Sequence, residues 1–268
     1  MISFFAKEPF ILNKPSGKTL QRVSSIIRGK EIASFLGAKL NPTEGFENDV
    51  CIHLKPRDFR PVKSNDYIDV MDDMTVTQML KGRPELKVIA LTNPHKQWLE
   101  SVLPNKVIHI PHHHVNFERK KKTRKEITTC GYIGANQPFQ RRIVAELKEV
   151  LEKEGIKFVS LLTFEKREDT IKFYESIDIQ VIGSFGFLTH APYYHPNKII
   201  NAMSFGIPTV SEQKLGYKDV DGFYYKAKNM RELVSEVKKL QKGWDAERLI
   251  NEAEKYHIEN ISKLYQKL

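Results

Sequence analysis

YHPNKIINAMSFGIPTVS, residues 194–211, holds a helix, both of its ends and the strand that follows it. Pro196 takes the first helical position, where a missing N–H costs nothing. Gly206 falls just past the last turn and can enter the left-handed region, and Pro208 prevents the helix from continuing. Pro208–Ser211 then reads as a short buried strand. A helix running straight into such a strand is a unit of an α/β protein. Asn197 and Lys198 fall in the first turn, where unpaired N–H groups and the positive end of the helix dipole favour an anion.

The same rhythm extends in both directions. Apolar runs occur at 50–54, 67–70, 88–91 and 107–110 in the first half, with a helical pattern over 20–36. In the second half, strands at 130–133, 157–162 and 178–182 alternate with helices at 138–154 and 169–176, and Lys- and Glu-rich helices fill 229–268. Short continuous apolar strands between amphipathic helices predict parallel sheets covered on both faces. The expectation is two Rossmann-like doubly wound α/β domains facing a cleft, 1–117 and 127–268, joined by a basic linker at 118–126. Ligands of such folds sit outside the carboxyl ends of the strands. The loops at 134–137, 163–167 and 183–197 therefore carry the candidate site, with Lys198 and Asn201 on one face of the helix that follows.

The chain has 268 residues, of which 40% are hydrophobic, so a sizeable core is expected. No apolar run approaches the ~18 residues of a membrane helix, and the opening residues lack the pattern of a signal peptide. The cytoplasm is the expected location. Cys51 and Cys130 lie in strand-like runs and read as core thiols. The net charge of +10 points to an acidic partner, with phosphate the common element of the candidates. Residues 118–126 carry six basic residues in nine and no apolar one. They read as a solvated connector, or as a patch for peripheral contact with the anionic inner face of a membrane. Neither a basic aromatic strand nor a helix-turn-helix pattern supports nucleic acid as the partner.

CGYIGANQPF (130–139), FYESIDIQVIGS (173–184) and above all PNKIINAMSFGIPTV (196–210) resemble the donor-binding domain of GT-B glycosyltransferases, especially the retaining nucleotide-sugar-dependent group. LQRVSSIIRGKEIASFLGAKL (20–40), YIDVMDD (67–73), VIALTNPHKQWL (88–99) and VIHIPHHHVNF (107–117) are similar to a shortened acceptor domain and linker. The resemblance implies transfer of a sugar from a nucleotide-diphosphate donor to an acceptor hydroxyl, of a saccharide or other molecule, with no obligatory cofactor or metal. It implies that Lys198 stabilises the diphosphate and that Asn197, His195 and Asn201 bind the donor, Asn201 at the ribose. Gly134 and Ala135 would approach the phosphates or the acceptor through backbone, and Thr163 and Phe164 would flank the base. Tyr193 and Asn201 stand where the retaining group carries a spaced pair of glutamates, and Ala135 where an arginine is common. Arg141 or Arg142 is the substitute. These departures keep a second reading open, a nucleotide-sugar-binding or adaptor protein without turnover. A sugar epimerase on the same fold is a further enzyme reading.

On the acceptor side, His53 is a candidate general base, and Lys55, Asn13 and Lys18 candidate substrate contacts. The Gly17-Lys18-Thr19 ending lacks the earlier glycine of a nucleotide-binding loop, since Leu12 stands there. His112, His113 and His114 are consecutive and cannot easily converge on a metal from a strand, so they read as linker. Asp69, Asp72 and Asp73 read as loop or cap residues before a helix at 74–80 rather than as a metal site.

Overall fold

The computed structural model describes residues 1–6, 24–58, 62–122, 126–164, 166–186 and 189–268, so Asn13 and Lys18 lie outside the described residues. The chain forms two compact units. The first comprises Met1–His113, Pro192–His195 and Ile258–Leu268. Its strands β1 (Ile2–Phe5), β2 (Lys39–Leu40), β3 (Val50–Leu54), β4 (Tyr67–Asp69), β5 (Lys87–Ala90) and β6 (Val107–His109) pair in the order β2-β1-β3-β4-β5-β6. Every pairing is parallel. Cys51 to Leu54 and all of β4 are buried, which is why their sequences run apolar without alternation.

Helix α1 (Ile32–Leu36) continues a π-helical stretch, Ile26–Glu31, and α2 (Met74–Leu80) and α3 (Asn93–Val102) follow β4 and β5. Asp73 caps α2 by accepting from the Thr75 and Val76 amides, the role expected of it. Thr92 caps α3 through the His95 amide at 3.1 Å. Ile68, Val76, Leu80, Val88 and Leu99 form one core. The C-terminal helix, Ile258–Gln266, also belongs to this unit. Its buried face of Ile258, Ile261 and Tyr265 packs here, with Tyr265 edge-on to Phe4 at 5.5 Å between ring centres.

The second unit comprises His114–Ala191 and Pro196–His257. Its strands β7 (Thr129–Ile133), β8 (Lys157–Leu161), β9 (Ile179–Ile182), β10 (Thr209–Ser211) and β11 (Tyr225–Lys226) lie in the order β11-β10-β9-β7-β8, all parallel. The helices are α4 (Pro138–Lys153), α5 (Arg167–Ser176), α6 (Asn197–Ser204), α7 (Met230–Leu240) and α8 (Ala246–Ala253). One core joins α4 and α7 to the sheet through Ile143, Leu147, Val181, Val210, Leu233 and Val237. The other joins α5 and α6 through Ile133, Ile171, Tyr174, Ala202 and Phe205. Helices on both faces make the sheet doubly wound, and its order places the topological switch between β7 and β9.

Two glycines are fixed by geometry. A Cβ on Gly131 would stand 2.4 Å from Ile177 Cγ2, so β7 and the end of α5 meet only over a bare backbone. Gly206 ends α6 at φ +70°, as its place in the sequence predicted. The helix itself starts at Asn197, with Pro196 as its flanking residue.

Within the second unit, the described part of the basic block is held by ion pairs. Arg119 meets Glu254 at 2.7 Å, Lys120 meets Glu175 at 2.9 Å, Lys121 meets Glu247 at 3.1 Å and Lys122 meets Asp178 at 2.9 Å. No described helix is long and apolar enough to cross a membrane.

Candidate functional site

In the second unit α6 follows the loop after β9, and its first turn is held by side chains of β9 and α5. Gln180 on β9 is fully buried and donates to the Lys198 carbonyl at 3.1 Å and to Thr209 Oγ1 at 3.0 Å. Tyr174 of α5 donates to Gln180 Oε1 at 2.9 Å, with the Lys198 carbonyl at 3.3 Å. This satisfied polar network locks the first turn of α6 onto the sheet. The first turn in turn fixes where the Lys198 side chain leaves the helix.

The Lys198 ammonium lies over the Tyr132 ring, 4.7 Å from its centre. No carboxylate among the described residues pairs with it. Burial, and then the positive charge of Lys214, bring its pKa down to about 8. Lys214 follows β10 and is buried, with its Nζ 2.8 Å from Glu212 Oε1. Glu212 also accepts from Ser184 Oγ at 3.2 Å and the Gly186 amide at 2.8 Å, while the Leu215 amide donates to Thr189 O at 2.8 Å. The segment after β10 thus holds the loop after β9. Glu212 is engaged by Lys214 and by the loop after β9, and no described carboxylate pairs with Lys198. Asn197, beside it at the start of the helix, has a buried Oδ1 with no partner among the described residues.

After β7, the Gly134 amide donates to Leu161 O at 3.1 Å, and a Cβ there would stand 2.8 Å from Tyr132 Cε1. Ala135 is half-buried. Arg141 donates to Asn136 Oδ1 at 3.2 Å, and Asn136 reaches Thr163 Oγ1 at 3.5 Å, so an exposed polar chain joins the loops after β7 and β8. Thr163 and Phe164 line an open groove of about 530 Å³ with Leu161, Lys172 and Phe173. In the second unit Gly134 and Ala135 thus follow β7, Thr163 and Phe164 follow β8, Arg141 reaches the loop after β7, and Asn197 and Lys198 open α6. Asn201, the expected ribose contact, is buried, and its Oδ1 accepts from the Val115 amide at 2.8 Å.

Other residues of the sequence reading fall in the first unit. His195 lies in the segment 192–195, its ring 4.6 Å from that of His112. His53 is buried, stacked on Phe5 at 4.8 Å, with Nε2 2.9 Å from Asp66 Oδ2. Lys55 pairs with Asp72, and Asp69 with the buried Arg28. Asp69 thus ends a strand rather than serving a loop or cap. The three consecutive histidines follow β6 rather than lying on a strand, and each meets a different partner. His112 meets His195, His113 reaches Ile27 O at 2.8 Å, and His114 stands edge-on to His257 in the second unit. Tyr132, Asn136, Gln180, Glu212 and Lys214 are not singled out by the sequence; the one signal for Glu212 and Lys214 is that they follow a strand at its carboxyl end.

No protein-family model matches the sequence, and no curated protein does. Solved structures do match. HepE of Anabaena in complex with UDP-glucose has a TM-score of 0.62 at 13% identity, over 99% of this chain and 98% of that one. AviGT4, a glycosyltransferase involved in avilamycin A biosynthesis, has a TM-score of 0.56 at 9% identity, over 100% and 96%. TarM has a TM-score of 0.57 at 16% identity, over 82% of this chain, which spans only 54% of TarM. The chain has the GT-B fold of these proteins, with its two parallel α/β sheets.

Proposed function

We propose that the protein is a glycosyltransferase that binds a nucleotide-diphosphate sugar in its second unit and transfers the sugar to an acceptor hydroxyl. The observation that carries this reading is Lys198, a cation in the first turn of α6 with no carboxylate partner among the described residues. A diphosphate supplies the charge that this turn is built to face. As the bond from the sugar carbon to the phosphate oxygen breaks, negative charge grows on the diphosphate, and the ammonium and helix amides stabilise it. The acceptor oxygen bonds to the sugar carbon, and its proton passes, directly or through solvent, to the released diphosphate. The backbone at Gly134 and Ala135 lies near the phosphates, Arg141 assists through Asn136, and the base rests by Thr163 and Phe164. Lys55, with Asn13 and Lys18, serves a saccharide or other acceptor. Buried free thiols at Cys51 and Cys130 suit a cytoplasmic enzyme.

A donor-binding protein without turnover is the second reading, favoured by Tyr193 and by the engagement of Asn201 with the Val115 backbone. Melting curves with a panel of nucleotide sugars, followed by mass spectrometry of products, test both. UDP-sugars come first because HepE was crystallised with UDP-glucose. Sugar transfer or donor hydrolysis lost in Lys198→Met supports the enzyme, and a melting shift without turnover supports the second reading. Unchanged melting with every donor contradicts both.

A further inference from the structure

Tyr132 touches two parts of the proposed diphosphate site that come from different elements. Its ring has the Lys198 ammonium 4.7 Å from its centre, and Lys198 belongs to the first turn of α6. The same ring lies against the Gly134 backbone after β7, where a Cβ would stand 2.8 Å from Cε1 and 2.9 Å from the hydroxyl oxygen. A side chain at Gly134 would push the ring from its place, so ring and bare backbone are matched. Tyr132 is itself buried in the core that contains Leu147 and Val181, which fixes the ring.

Lys198 is therefore held at both ends. Its carbonyl accepts from Gln180 Nε2 at 3.1 Å, which anchors the backbone, and the ring anchors the ammonium. A lysine side chain is long and flexible, and ordering it against a ligand costs entropy unless the protein has ordered it beforehand. A carboxylate in the place of the ring would also order it, but would neutralise the charge that a diphosphate needs. An aromatic face attracts the cation without cancelling it.

Resting on the nucleotide-sugar reading, we propose that Tyr132 is a positioning residue whose ring, seated on the Gly134 backbone, holds the Lys198 ammonium in place for the diphosphate. The role belongs to the aromatic face, and the hydroxyl takes no part in it.

The test has two arms. In the free protein, NMR of ¹³C-methylated lysines, with the Lys198 signal assigned by its loss in Lys198→Met, reads the contact directly, because a methyl group over a ring face is shifted upfield. The Lys198 signal should stand upfield of the exposed lysines in wild type and in Tyr132→Phe, and join them in Tyr132→Leu. The wild-type signal decides without any change at Tyr132, so this arm does not depend on Tyr132→Leu folding. In the second arm, calorimetric titration with UDP should find Tyr132→Phe within about twofold of wild type and Tyr132→Leu about fivefold weaker, as loss of a cation–ring contact implies. In the Lys198→Met background, Tyr132→Leu should have no further effect, whereas a general loss of packing would weaken binding there as much as in wild type. A wild-type Lys198 signal among those of the exposed lysines, equal weakening in Tyr132→Phe and Tyr132→Leu, or additive effects of Tyr132→Leu and Lys198→Met overturns the proposal. Failure of UDP to bind wild type refutes the nucleotide reading instead, and the free-protein signals still decide whether Tyr132 holds Lys198.

Discussion

Lys198, in the first turn of α6, and Tyr132, on β7, form a cation–ring pair in which the ammonium stands 4.7 Å from the ring centre. The ring supplies polarisable surface but no countercharge, so the pair stabilises the ammonium only partly. Lys198→Met is accordingly expected to stabilise the protein near pH 7, by on the order of 1–3 kcal/mol after allowance for partial exposure. The folded-state pKa of about 8 is below the ordinary value of 10.5, so between these the unfolded chain binds more protons and wild-type stability rises with pH. The advantage of methionine should therefore fade from about pH 8 towards 10.5 in chemical denaturation series.

Gly134 guards that pair from the other side. A methyl group placed there, 2.8 Å from Tyr132 Cε1, must displace the ring. Gly134→Ala should cost about 1–3 kcal/mol of stability and weaken UDP binding as well, whereas a mutation that only loosens the loop would leave the Lys198 resonance in place. NMR of the labelled lysines distinguishes the two.

In the first unit, His95 provides an acid-limb prediction. Burial, and then the charge of His195, hold its pKa down at about 4 against an ordinary 6.5. Between those values the unfolded chain accepts a proton that the folded one refuses, so stability falls as the pH drops. His95→Gln should flatten the fall between pH 6.5 and 4, by up to on the order of 2–3 kcal/mol at the lower end.

The Arg28–Asp69 pair is buried on both sides, yet Arg28 Nη2 and Asp69 Oδ1 have no partner among the described residues. Removing one charge strands the other, and Asp69→Leu should cost about 3–5 kcal/mol. The double variant Arg28→Met with Asp69→Leu should recover most of that loss. Urea unfolding of the three proteins measures it.

Much of the fold was legible because parallel strands covered on both faces leave continuous apolar runs, and because Pro196 and Gly206 mark the ends of α6. The two-residue strands β2 and β11 were not, being too short to show a period. The amphipathic pattern of Ile258–Gln266 announces a buried face but not the sheet that covers it, which here is reached through Phe4. Asn201 shows the limit for site residues. A polar side chain on a helix face predicts a hydrogen bond, and sequence cannot say whether the partner is a ribose or the Val115 amide. Glu212 and Lys214 were hidden for a related reason, since ionised residues in a loop read as solvated until the structure buries them.

The central claim is that a nucleotide diphosphate is held at the start of α6 by Lys198. Isothermal titration of UDP into wild type and Lys198→Met at pH 7 tests it most directly. Saturable binding by wild type that weakens at least about tenfold in Lys198→Met, a change of about 1.4 kcal/mol, is the predicted result. Equal affinity in both proteins, or no binding by wild type, would contradict it.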